Sequence, residues 1–124
     1  MNQRTTLLSA AVLGGLAVGI GAFGAHALKP MLVQAGRADV YELATRYQFY
    51  HTLALLAIGI LQQWYNNKQL HYASLFMLIG TLLFCGSLYL LCFVSFGLLG
   101  AVTPIGGVFL ILGWVFLLLG IYKK

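Results

Sequence analysis

RYQFYHTLALLAIGIL, residues 46 to 61, changes character partway along: Arg46, Tyr47, Gln48, Tyr50 and His51 are crowded together, and the run from Leu53 to Leu61 is then wholly Leu, Ile, Ala and Gly. A polar and aromatic mouth on an apolar run suits a helix that starts in a lipid headgroup region and continues into hydrocarbon, where polar groups are costly.

The flanking sequence supports a lipid setting. Of 124 residues, 61% are hydrophobic and only 7% charged, against roughly a quarter charged in an ordinary soluble domain. A helix needs about 20 apolar residues to cross some 30 Å of hydrocarbon. The sequence therefore predicts an all-α integral membrane protein, a four-transmembrane-helix bundle with short loops. Its spans cover about 5–28, 44–65, 72–96 and 103–122, with one loop at 29–43. Lys29-Pro30 ends the first span. Asp39 and Glu42 have the spacing of an N-cap and its N3 partner, so the second helix starts near Asp39. Trp64-Tyr65 forms an interfacial end, NNKQLH a polar turn, and Thr103-Pro104 a cap with proline at the first helical position. A cleaved leader is the rival for the first span, because Arg4, an apolar stretch and Ala25-His26-Ala27 imitate one. The run from Leu7 to Ala25 is longer than such segments usually are, which favours retention.

The net charge of +5 is spread along the chain. With no basic cluster beyond Lys123-Lys124, it argues against nucleic acid. Counted by side, Arg4, Lys68, Lys123 and Lys124 oppose Lys29, Arg37 and Arg46, so the termini are expected in the cytoplasm. Cys85 and Cys92 share one run; as helix they are about 10 Å apart along the axis, too far for a disulfide.

Helices in lipid associate by close packing and polar contacts. Gly15 and Gly19 form a GxxxG step on a stripe with Ala11, Ala22 and His26, and Gly106, Gly113 and Gly120 recur every seven residues. Both patterns read as packing faces. Reversal of the chain after Lys29 gathers His26, Glu42, Arg46, Gln48, Tyr50 and His51 at one level, joined by Ser87, Tyr89 and Thr103 from later spans. One polar cavity facing the long loop is expected there, open to a lipid or small ligand. The plainer alternative is that Arg46 pairs with Glu42 and pins the helix at the headgroup boundary. His71 and Gln62-Gln63, at the opposite end, are expected to be solvated.

Five ordered blocks, GAFGAHALK (21–29), YELATRYQFYHTLALL (41–56), FCGSLYLL (84–91), TPIGG (103–107) and GW (113–114), resemble the small YgdD-like membrane proteins. That family is called domain of unknown function 423 and is related to transmembrane protein 256. Its motif positions fall on His26, Arg46, Gln48, His51, Ser87, Tyr89, Thr103 and Pro104. Cys85 departs from the pattern, which favours serine before GSLY. The resemblance implies a small multi-span protein of the bacterial inner (plasma) membrane with no established reaction, cofactor or ligand.

Several function classes remain in view. A non-enzymatic membrane component, binding membrane lipid and associating with itself or another membrane protein, needs only the features above. A headgroup site at Arg46, with Lys29 and Arg37 nearby, is its most concrete form. A small transporter or channel is an alternative, suggested by four short spans and an intramembrane polar cluster, although a cation-coupled exporter would need a carboxylate inside the first span, and both acids lie in or beside the loop. An enzyme acting on a lipophilic substrate could use His26 or His51 as acid or base and Arg46 as anion holder. Ser87, however, has neither a flanking elbow nor a carboxylate partner. Two histidines without a further ligand cluster do not define a metal site, and no cofactor motif is present.

Overall fold

A computed structural model describes residues 1–95 and 97–123. Five helices follow in order: α1 Gln3–Ala25, α2 Lys29–Gln34, α3 Ala38–Leu61, α4 Lys68–Leu91 and α5 Gly97–Tyr122. Among the described residues there is no strand. α1, α4 and α5 are long and apolar enough to cross a membrane. α3 has 24 residues but carries Asp39, Glu42, Arg46, Gln48 and His51 in its first 14, which lowers its hydropathy.

Local chemistry sets the boundaries. The Asn2 side chain accepts from Thr5 N at 2.8 Å and caps α1, and Asn67 does the same for α4 through Leu70 N at 3.0 Å. α1 ends at Ala25, capped by His26, rather than at the expected Lys29-Pro30, and Pro30 stands instead in the first turn of α2. Gly36, with φ of 69°, turns the chain into α3. Asp39 is not the cap: Arg37 holds that position without a side-chain cap bond, and Asp39 lies in the first turn, where its charge suits the helix dipole. α5 starts at Gly97 rather than at Thr103, and Pro104 lies inside it. Beside it, Thr103 Oγ1 donates to Leu99 O at 3.2 Å. The expected end of the third span at Phe96, and Lys124, lie outside the described residues.

α1 packs on α3, α3 on α4, and α4 most extensively on α5. All three contacts are antiparallel: Leu13 meets Gln48, Gln48 meets Tyr89, and Ser87 meets Thr103. The first residue and the end of α5 consequently share one end of the bundle, where Met1 reaches His71 O and Asn67 reaches Gly120 O. A core of Ala10, Leu13, Ala54, Leu55, Ile58, Ala73, Met77 and Leu110 runs through all four long helices.

The α4–α5 contact is a seam without side chains on one half of its contact positions. Gly106, Gly113 and Gly120 are buried against Phe84, Met77 and Leu70, and Gly80 against Leu110. A methyl on Gly80 would stand 2.7 Å from Leu110 N, and one on Gly106 would collide with the Phe84 backbone. The expected GxxxG face of α1 is different. Ala11, Gly15, Gly19, Ala22 and His26 all point outward, and nothing lies within 4 Å of a methyl built on Gly15 or Gly19. The buried stripe is Thr6, Ala10, Leu13, Ala17 and Gly24, on the opposite face of the helix at about 100° per residue. In a helix apolar all round, no polar face fixes the phase of the wheel.

Candidate functional site

The polar side chains of the loop-side half form two arrangements rather than one cavity. The first is a buried clasp. Gln48, 3% exposed, donates from Nε2 to Leu13 O of α1 at 3.0 Å and accepts at Oε1 from Tyr89 OH of α4 at 2.7 Å. Thr45 Oγ1 lies 3.2 Å from the same Tyr89 hydroxyl and donates to Tyr41 O at 3.1 Å. Tyr41 OH donates to Ile20 O at 2.6 Å, and its ring meets Tyr89 edge-on with centroids 5.3 Å apart. Leu13 and Ile20 are two helical turns apart, so α3 grips two exposed-lone-pair carbonyls on one stripe of α1. Gly24 makes room for the Tyr41 ring, which a methyl there would strike.

The second arrangement is an open cleft of about 450 Å³ between the end of α1, α2 and the first half of α3. Lys29, Asp39, Glu42 and Arg46 line it together with Tyr41, Thr45, Phe49, Leu32 and Val33. The chain has seven Lys and Arg and two Asp and Glu in all; both acids and two of the cations face this space. Among the described residues no ion pair joins them, so the anticipated Glu42–Arg46 pair is absent. Leu32, Tyr41 and Cys92 form a small core beneath the loop end. Cys85 and Cys92 are both free.

Of the residues expected at one level, only Glu42 and Arg46 face the cleft. His26 is exposed at the C-cap of α1, bonding through its backbone N–H to Ala22 O. His51 lies further down α3, on the order of 20 Å away along the bundle axis by helical rise. Its Nδ1 is 2.9 Å from Tyr47 O, and its Nε2 accepts from Trp114 Nε1 at 3.1 Å. That pairing fixes a neutral ring protonated at Nδ1, with both nitrogens engaged. Tyr50 is 53% exposed and touches Tyr47. Ser87 is bonded to Phe84 O and Thr103 Oγ1, at 2.9 and 2.5 Å, on the α4–α5 side. The two histidines therefore cannot share a ligand, and among the described residues no group of three His, Cys, Asp or Glu is placed to hold a metal.

Tyr41, Thr45 and Trp114 went unmarked in the sequence reading. Tyr41 is seven residues before Gln48 and could have been found as its heptad neighbour; Trp114 stands in the GW block of the family resemblance, which gives it no partner. The opposite end also departs from expectation. Gln62 is 6% and Ser74 0% exposed, and Gln62 Nε2 donates to Met1 O at 2.7 Å. The Met1 amine donates to His71 O and Ser74 Oγ at 2.6 and 2.9 Å, and burial lowers its pKa. Gln3 joins in through Gln63 Oε1 and Gly59 O. Gln62 was expected in solvent; instead the start of α1 covers it.

Residues 20–107 match the family model described as protein of unknown function (DUF423), a segment that contains the whole cleft lining and every clasp residue except Leu13. A UPF0382 membrane protein of Staphylococcus saprophyticus is 42% identical over 121 residues, covering 98% of this chain and 99% of that protein. The UPF0382 inner membrane protein YgdD of Escherichia coli K12 is 38% identical over 122 residues, covering 97% and 91%. A UPF0382 membrane protein of Staphylococcus aureus is 41% identical over 116 residues, covering 90% and 93%. No solved structure matches the chain.

Proposed function

The chain belongs to the DUF423 family of membrane proteins, and we propose that it is a non-enzymatic membrane component whose loop-side cleft holds the headgroup of a membrane phospholipid. One observation carries this reading: four of the nine charged side chains line a single cleft without pairing. Its volume falls within the roughly 300–1,000 Å³ of typical ligand sites. Lys29 and Arg46 supply the cations a phosphate needs, Arg46 by its planar fork. Leu32, Val33 and Phe49 supply apolar wall for the first part of an acyl chain.

In this reading α3 is the fourth crossing, its polar half shielded by α1 and α4. The termini face the cytoplasm, on the side of Arg4, Lys68 and Lys123, and the protein sits in the inner membrane as its relative YgdD does. A non-catalytic role is supported by His51, whose ring is consumed in holding α3 to α5. The outward stripe Ala11, Gly15, Gly19 and Ala22 is the face on which a second copy or another membrane protein would pack.

The test is native mass spectrometry in mild detergent. The intact chain should retain phospholipid, Lys29→Ala and Arg46→Ala should lose most of it, and His51→Ala should keep it while melting lower. Equal retention by all four would remove the cleft as the site.

A further inference from the structure

The cleft contains both of the chain's acidic side chains as well as two cations, and a site for a purely anionic headgroup would gain nothing from Asp39 and Glu42. Their order along α3 is informative. α3 begins at the loop end and runs into the bundle, so Asp39, Glu42 and Arg46 stand at increasing depth. By helical rise Glu42 is about 6 Å, and Asp39 about 10 Å, nearer the loop end than Arg46. Along α3 the negative charge is thus outermost and Arg46 innermost, while Lys29 lines the facing wall at the start of α2.

We propose that this depth order selects a zwitterionic aminophospholipid, of the phosphatidylethanolamine class, over anionic glycerol headgroups. The inference rests on the headgroup reading above and adds its specificity. In such a lipid the phosphate adjoins the glycerol backbone and lies deeper, and the ammonium is carried outward on a two-carbon spacer. Phosphate then meets Arg46 while the three N–H donors of the ammonium meet Glu42 and Asp39, each charge finding its opposite at its own depth along α3, and Lys29 adds positive charge from the facing wall. A glycerol headgroup would place a neutral diol against two carboxylates. A choline headgroup would bring the right charge but no N–H to donate. Among the described residues no ion pair joins Glu42 to Arg46, both of them exposed, so no internal salt bridge has to break before the lipid binds. The apolar wall favours a lipid over a free phosphoamine.

The experiment is a competition, read by native mass spectrometry, in which the purified full chain meets equimolar phosphatidylethanolamine, phosphatidylglycerol and phosphatidylcholine with identical acyl chains. A parallel arm uses soluble glycerophosphoethanolamine. The expected result is retention of the ethanolamine lipid about fivefold above either other lipid, the ratio an exposed ion pair supports, and no retention of the soluble headgroup. Glu42→Gln and Asp39→Asn, both at exposed positions, should bring the ethanolamine and glycerol lipids level without loss of total lipid. Preference for phosphatidylglycerol or phosphatidylcholine in the intact chain, or an ethanolamine preference that survives both carboxamide substitutions, overturns the selectivity and leaves the headgroup site standing. Absence of any retained phospholipid overturns the site itself, and retention of the soluble headgroup alone reassigns it to a free metabolite.

Discussion

Where α4 meets α5, glycines let two backbones touch; where α3 meets α1 and α4, side chains reach across to hydrogen-bond. Leu70, Met77 and Phe84 rise from α4 at seven-residue steps, and Gly120, Gly113 and Gly106 on α5 receive them at the same interval. That is the repeat of left-handed knobs-into-holes packing. On α3, by contrast, Tyr41, Gln48 and Thr45 engage carbonyls and hydroxyls on neighbouring helices. Lipid tails compete equally for apolar surface, so neither interface is driven by hydrophobicity. The seam gains dispersion from close contact, and the clasp gains direction, because a hydrogen bond made one residue out of register is lost.

The largest effect should come from spoiling the seam. Gly106→Ala places a methyl against the Phe84 backbone, which cannot rotate away as a side chain could, and overpacking of this kind costs roughly 1–3 kcal/mol. We expect a loss near the upper end, read as a shift in denaturation midpoint in mixed micelles. Gly19→Ala is the matched contrast: no atom lies within 4 Å of the new methyl, so it should be neutral or gain up to about 1 kcal/mol from helix propensity. Equal losses at the two positions would mean that α1 is covered by a partner along its outward stripe.

Next in size is the clasp. Gln48→Leu removes bonds to both α1 and α4; interhelical hydrogen bonds in membranes average about 0.6 kcal/mol and reach about 1.7, so a loss of roughly 1–2 kcal/mol is expected. Tyr89→Phe should cost less, since Thr45 keeps its bond to Tyr41 O. The double variant should cost less than the sum, which a double-mutant cycle measures. Additive losses would show that the two side chains act separately.

These two interfaces were not equally legible in the sequence. The seam could be read as a pattern, because three glycines seven apart in an otherwise bulky helix define a face by size alone. The polar residues of α3 were legible as a group but not as a geometry. Helical spacing separates Glu42, Arg46 and Tyr50 from Gln48 and His51 by angle, yet only the partner helices decide which side meets a carbonyl and which opens to a cleft. The α1 stripe was misphased for a related reason: Gly15 and Gly19 are small, but α3 offers Gln48 and Tyr41, which need carbonyls to accept from and a Gly24 to clear the ring. Pro104 gave a further false boundary, since proline suits the first turn because its missing N–H is unbonded there anyway, whereas a membrane span can also continue through it.

A smaller effect is expected at the mid-bundle tie between α3 and α5. Trp114→Phe keeps most of the ring but removes the donor to His51 Nε2, leaving that nitrogen unpaired and costing about 0.6 kcal/mol or somewhat more. Phospholipid retention should not change, because neither residue lines the cleft. A loss of lipid in this variant would tie the mid-bundle to the site and undo the separation drawn here.

The smallest effect tests whether every polar group on α3 belongs to the clasp. Thr52 is 5% exposed, and its Oγ1 has no hydrogen-bond partner among the described residues; its methyl faces Gly14 of α1, where an added Cβ would stand 3.5 Å away. A buried hydroxyl without a partner contributes its desolvation cost and nothing else. Thr52→Val retains the branched shape and the contact with Gly14, so it should leave stability unchanged or raise it by up to about 1 kcal/mol. Thr45→Val, one residue type and two turns away, removes bonds to Tyr41 O and Tyr89 OH and should move stability the other way. If both threonines destabilise equally on replacement, Thr52 is bonding to its own helix after all, and the polar half of α3 works as one continuous interface rather than as a clasp with a silent hydroxyl beneath it.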